Sequence, residues 1–120
     1  MRMIAIIAFC AIAVETAAGE PQALLMGAGI GTCAEFAQSY SRDPEGTMAV
    51  YFSWAQGFMS AMNIARRAGN KSTRDLNGMP LSSQHERLRY FCSQKPPDEP
   101  FYSALKDLLD LLPEIPPQSN

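Results

Sequence analysis

This sequence is short of nearly everything that marks an enzyme. Its 120 residues hold one histidine, one tryptophan and three cysteines. With His85 the sole imidazole, Ser-His-Asp catalysis has only one candidate base, and no nucleophile elbow marks a partner serine. His85 itself falls in the first turn of an expected helix and reads as solvated surface. No Cys/His spacing suits a zinc ion. Charge is also scarce: ten Lys and Arg against twelve Asp and Glu leave a formal net charge of −2. A chain that is not basic has no electrostatic footprint for nucleic acid, and one so mildly acidic is not a disordered acidic tail. No segment shows the sustained period-two alternation of a half-buried strand. Asp107 and Asp110 share one helix surface, but at that spacing they read as a solvated face rather than an acid pair. The expectation is a chain that is not an enzyme and has no cofactor or metal.

What is present begins with a leader. Arg2 supplies a positive start, Met3 to Val14 form an apolar run too short to span a bilayer as a helix, and Thr16-Ala17-Ala18 offers small residues before Gly19. This is the pattern of a secretory signal peptide over residues 1–18, with cleavage after Ala18. Cys10 lies inside the apolar run and goes with it. Two cysteines then remain, Cys33 and Cys92, and an even count in a small exported protein reads as a disulfide.

Residues 19–30 read as a flexible lead-in. Their "MGAGIG" resembles a phosphate loop, but the strand before it and the βαβ unit around it have no room here. The first helix starts at a capping box, Thr32-Cys33-Ala34-Glu35, and ends near Ser41. Asp43-Pro44-Glu45 opens the second, with Asp43 as cap, Pro44 in the first turn and Glu45 at the positive end of the dipole; Gly69-Asn70 stops it. One apolar stripe on this helix is Met48, Tyr51, Phe52, Ala55, Phe58, Met59 and Met62. A second is Val50, Trp54, Gly57, Ala61 and Ile64. A helix apolar around most of its girth has to be covered on most sides, as the centre of a fold or as half of a subunit interface.

A polar loop follows, with a turn at Asn77-Gly78. The third helix is expected from the capping box Ser83-Gln84-His85-Glu86 to Pro96-Pro97. The fourth is expected from Asp98 or Glu99, with Pro100 in its first turn, to Pro113; it buries Phe101, Ala104, Leu105, Leu108, Leu109 and Leu112. The fold class is therefore all-α: four helices over residues 31–113, one disulfide stapling the first to the third, and a frayed tail over 114–120.

Trp54 reads as a core or interface anchor, or as a partner-binding aromatic beside Gln56 and Asn63. Gly57 leaves a notch in the same stripe that would admit another helix closely. Met48, Met59 and Met62 add adaptable apolar surface.

Two stretches resemble a known family. Cys33-Ala34-Glu35-Phe36 is similar to the opening of the HdeA/HdeB family of periplasmic acid-stress chaperones, and "LRYFCSQKPPDEPFYSAL" is similar to its second half. Trp54 falls in the middle helix, where some members carry a tryptophan. The segment between the cysteines and the middle helix are both longer here. The resemblance implies a periplasmic protein, often a homodimer and idle at neutral pH, that opens in acid while its disulfide keeps it tethered. It implies binding of unfolded client proteins by Trp54, Phe58, Met59 and Met62, and by Leu105, Leu108 and Leu109. The same two-cysteine helical plan is also similar to Tai-type immunity proteins, which implies one specific protein partner, with Trp54 and the Gly57 notch as the first surface to consider.

Overall fold

The structure, a computed structural model, describes residues 23–119; the expected leader lies outside them. Four helices carry the fold: α1 (Cys33–Arg42), α2 (Pro44–Ala68), α3 (Leu81–Ser93) and α4 (Phe101–Leu111). A two-residue antiparallel pair joins β1 (Thr73–Arg74) to β2 (Glu114–Ile115). The all-α class is as the sequence predicts, and the Cys33–Cys92 disulfide links α1 to α3 across a Cα–Cα distance of 5.0 Å. Closing a loop of 59 residues contributes on the order of 4 kcal/mol by restricting the unfolded chain.

The caps of the first two helices form as the sequence dictates. Thr32 Oγ1 accepts the Glu35 amide, and Glu35 Oε2 accepts the Thr32 amide in return. Asp43 Oδ1 accepts the Gly46 amide, so two orphan helix starts are satisfied locally.

The last two helices start elsewhere than their sequence signals suggest. α3 begins at Leu81, after Pro80 in an extended conformation, with no side-chain cap. The Ser83 capping box does not form, because the helix has already begun at Leu81 and the Gln84 backbone amide donates to the Pro80 carbonyl; the Gln84 side chain has a separate task. It is buried, and its amide donates to the Leu76 and Met79 carbonyls, pinning the preceding loop. α4 begins at Phe101, with Pro100 outside it at φ −63°, ψ 135°. Pro100 is held extended by a bridge to Thr32, where the Phe101 amide donates to the Gly31 carbonyl and the Cys33 amide donates to the Glu99 carbonyl. These cross-chain bonds use backbone groups that a longer helix would have needed.

Two further expectations are corrected. The tail is not wholly frayed: β2 pairs Ile115 with Thr73 and Glu114 with Arg74. The lead-in is not a free linker: Ala28–Ile30 form a 3₁₀ turn packed on α2. Neither contact has a local sequence signal, since both join segments far apart in the chain.

The core is built around α4. Phe101, Ala104, Leu105 and Leu108 are fully buried, with Leu109 and Leu112 almost so. Phe36 of α1 and Tyr51 of α2 meet Phe101 with ring centroids 4.8 Å away in each case. α3 closes the remaining side through Leu88 and through a two-pronged ion pair in which Arg87 Nε donates to Asp107 Oδ2 at 2.7 Å and Nη2 donates to Oδ1 at 3.0 Å. Asp107 is thus a helix-joining group rather than solvated surface, and its hydrogen bonds raise the Arg87 guanidinium further above its ordinary range.

Candidate functional site: the outer face of α2

α2 is 25 residues long, about 37 Å at the usual helical rise. Its first stripe goes inward: Met48, Phe52, Ala55 and Met59 are buried, and Tyr51, Phe58 and Met62 pack against the core from its edge. Burial of the Tyr51 phenol, with the negative charge of Glu35 nearby, pushes its pKa up. Its second stripe is left outside. Val50 is 61% exposed and Ile64 71% exposed, and Gly57 and Ala61 are exposed between them. α2 is therefore covered on one side only, and α4, not α2, is the central helix.

The outer face is unusual in its chemistry. No charged residue occurs in α2 between Glu45 and Arg66. Ser53 turns its hydroxyl back onto the Ala49 carbonyl at 2.7 Å, so even that polar group is satisfied within the helix. At Gly57 a Cβ would meet nothing within 4 Å. Gly57 faces open space, and no described part of the chain lies against it.

Trp54 bounds this face. The indole is half-buried, stacks on Phe58 at 5.4 Å, and donates from Nε1 to the Met26 carbonyl at 2.7 Å. The lead-in lies across it as a strap. Gly27 has φ +92°, and a Cβ at Gly29 would run into the six-membered ring of Trp54. The "MGAG" glycines thus permit close approach of backbone to an aromatic ring, in place of the linker role read from the sequence. The strap also brings exposed apolar side chains, Met26 at 76% and Ile30 at 58%.

The other expected binding residues divide sharply. Met59, Leu105, Leu108 and Leu109 are core, with exposures of 1%, 0%, 0% and 2%. They present no surface in this fold. Asn63, expected as a polar neighbour of Trp54, is occupied in holding β1: its side chain donates to the Arg74 carbonyl and accepts the Arg74 amide. Cys33 and Cys92 form the buried staple and are consumed structurally.

Sequence reasoning missed one feature, an open cleft among α1, α2 and α3. It has a volume of about 590 Å³ and is lined by Tyr40, Met48, Phe52, His85, Glu86 and Arg89, among others. Arg89 lies 4.4 Å above the Tyr40 ring. His85 is half-buried with its ring edge-on to Phe52 at 4.4 Å, which corrects its reading as solvated surface. The available signal was the spacing of His85 and Arg89, four apart on one helix face. Ser53 and Ser82 also line the cleft, but the Ser53 hydroxyl donates to the Ala49 carbonyl rather than to His85, and no group of three or more His, Cys, Asp or Glu among the described residues could hold a metal ion. No helix among the described residues is long and apolar enough to cross a membrane. Comparison with known proteins returned no matching family model, no matching curated protein and no matching solved structure.

Proposed function

We propose that this chain is an exported helical protein that works by binding another protein, with the outer face of α2 as its contact surface. The observation that carries this reading is the uncharged, half-apolar face from Val50 to Ile64, exposed along a helix whose other side is core. Isolated exposed apolar residues are ordinary; here an uncharged helix face carries Val50 and Ile64 at its ends with small residues between them. Gly57 adds the close approach that helix-on-helix packing uses. The buried disulfide supports an oxidising compartment, and the apolar leader over residues 1–18 supports export to a periplasm. A specific protein partner, of the kind an immunity protein has, is the form of this reading that a preformed surface favours.

The test places a photo-crosslinking amino acid at Ser53 or Ala61 and irradiates intact cells. A discrete protein adduct, lost when Ile64→Asp is added, is the expected result. No adduct from either position, in a chain that is folded and oxidised, removes the reading.

One observation favours a second form, the acid-activated chaperone. Met59, Leu105, Leu108 and Leu109 are buried in a fold whose α1 and α3 the disulfide ties together. Opening that fold would expose a leucine-rich surface without releasing the chain. Circular dichroism, dye binding and client aggregation followed from pH 7 to pH 2 test this form. Retained tertiary signal with no client protection would exclude it.

A further inference from the structure

We infer that the cleft among α1, α2 and α3 is a binding site for a free α-amino acid with a large apolar side chain. The inference is independent of the reading of the outer face of α2, which the cleft borders at Ser53. Three features select this ligand.

The first is the separation of charge from apolar surface. α3 runs back along α2: Arg89 meets Tyr40, just before α2 begins, and His85 meets Phe52, about two turns into it. Glu45, Glu86 and Arg89 therefore gather at the Tyr40 end of the cleft. Beyond them the buried side chains of Met48 and Phe52, with the His85 ring, form the floor. A solvated helix face carries its charges on one element. Here Glu45 stands on one wall and Glu86 and Arg89 on the other, over a single hollow.

The second is that these charges are uncommitted. Among the described residues the one ion pair joins Arg87 to Asp107, so Glu45, Glu86 and Arg89 have no charged partner there. The Arg89 guanidinium lies face-on over the Tyr40 ring at 4.4 Å. Stacking uses its face and leaves its N–H edge for a carboxylate. A ligand with a carboxylate and an ammonium on neighbouring atoms meets both signs at once: the carboxylate on Arg89, the ammonium between Glu45 and Glu86. A simple anion would be repelled by two carboxylates, and a simple cation by Arg89.

The third is size. The volume of about 590 Å³ is ordinary for a small-molecule site. Its length along α2, from Glu45 to Ser53, is only about 12 Å. One aromatic or branched side chain fits between the charged head and the hydroxyls of Ser53 and Ser82 at the far end. A lipid acyl chain is too long for that floor.

His85 is the only histidine of the chain, so its ring resonances report the cleft in isolation. The mature, oxidised protein is titrated with L-phenylalanine, with its N-acetyl form, which lacks the cation, and with its amide, which lacks the anion. A saturable shift of the His85 ring is expected with phenylalanine, and each capped form is expected to bind at least ~10-fold more weakly. Arg89→Gln is expected to weaken phenylalanine about 10-fold and to leave the amide unchanged. Glu45→Gln/Glu86→Gln is expected to weaken phenylalanine similarly and to leave the N-acetyl form unchanged. Ala49→Trp, at an exposed position on the cleft wall, is expected to abolish binding with an unchanged helical signal. No saturable shift in folded protein overturns the inference, as does equal binding of phenylalanine and both capped forms. Tighter binding of a short-chain phosphatidylethanolamine than of phenylalanine, lost in the same variants, also overturns it and assigns the cleft to a lipid head group.

Discussion

α2 and α4 are the two most apolar helices of this chain, and they end in opposite situations. α4 buries every residue of its stripe, from Phe101 through Leu112, at exposures of 0–2%. α2 buries one stripe and leaves another, with Val50 and Ile64 more than half exposed. The difference follows from length and position. α4 is 11 residues long, and α3, α2 and the 3₁₀ turn pack against it, so its whole apolar stripe is covered. α2 is 25 residues long, more than twice that, and its partners are too few to wrap it. Apolar content alone therefore does not say which helix is central. A helix with apolar residues on two faces can be a core element, or it can hold the fold with one face and offer the other.

The largest expected effect removes the shell that makes α4 a core helix. Replacing Cys33 and Cys92 together by alanine should lower unfolding stability by about 4 kcal/mol, measured by denaturant titration against the oxidised protein. A loss below about 1 kcal/mol would mean that α1 and α3 hold α4 without the staple.

Leu108→Ala tests the buried side of the comparison directly. Leu108 is fully buried, so the expected loss is about 2–5 kcal/mol, including the cavity left behind.

Gly29→Ala probes the strap on α2. A methyl group there collides with the Trp54 ring, and overpacking of this kind costs about 1–3 kcal/mol unless the segment moves away. Either way the indole loses its cover. Tryptophan emission should shift to the red, while the α4 core stays intact by amide exchange.

Tyr51→Phe examines the seam, because Tyr51 belongs to α2 and packs edge-on against Phe101 of α4. Burial and Glu35 raise its pKa in the folded state. A group whose folded pKa is raised stabilises the fold below its unfolded value, near 10, and that contribution is lost as pH climbs through the folded value. The wild-type protein should lose stability above about pH 10, and Tyr51→Phe should flatten that alkaline limb.

The smallest effect sharpens the contrast most. Ile64→Ala, on the outer face of α2, should change the stability of dilute protein by no more than about 0.5 kcal/mol. A cost like that of Leu108→Ala would show that the outer stripe is also part of a core.

Legibility in the sequence followed the range of the interactions. The start of α1 was readable because Thr32 and Glu35 cap each other within one turn. The start of α2 was readable because Asp43 and Pro44 act on the residues next to them. α3 misled because Ser83 to Glu86 has the form of a capping box, while the helix already begins at Leu81. Pro100 misled because its bridge to Thr32 spans 68 positions of the chain. The outer stripe of α2 was readable as apolar, and Gly57 as a notch, but not as exposed.

By itself the sequence determined the helical class, the pairing of Cys33 with Cys92, the inward stripe of α4 and the caps of the first two helices. Each of these depends on neighbours in the chain, on the helical period or on a count of two. Only the tertiary structure decided that α4 is the centre, that the "MGAG" segment straps Trp54, that Ile115 pairs with Thr73, and that one whole face of α2 is left uncovered. The reason is physical. A helix carries its periodicity in its own residues, whereas coverage depends on how much surface the rest of the chain has to offer, and here that surface runs out before α2 is enclosed.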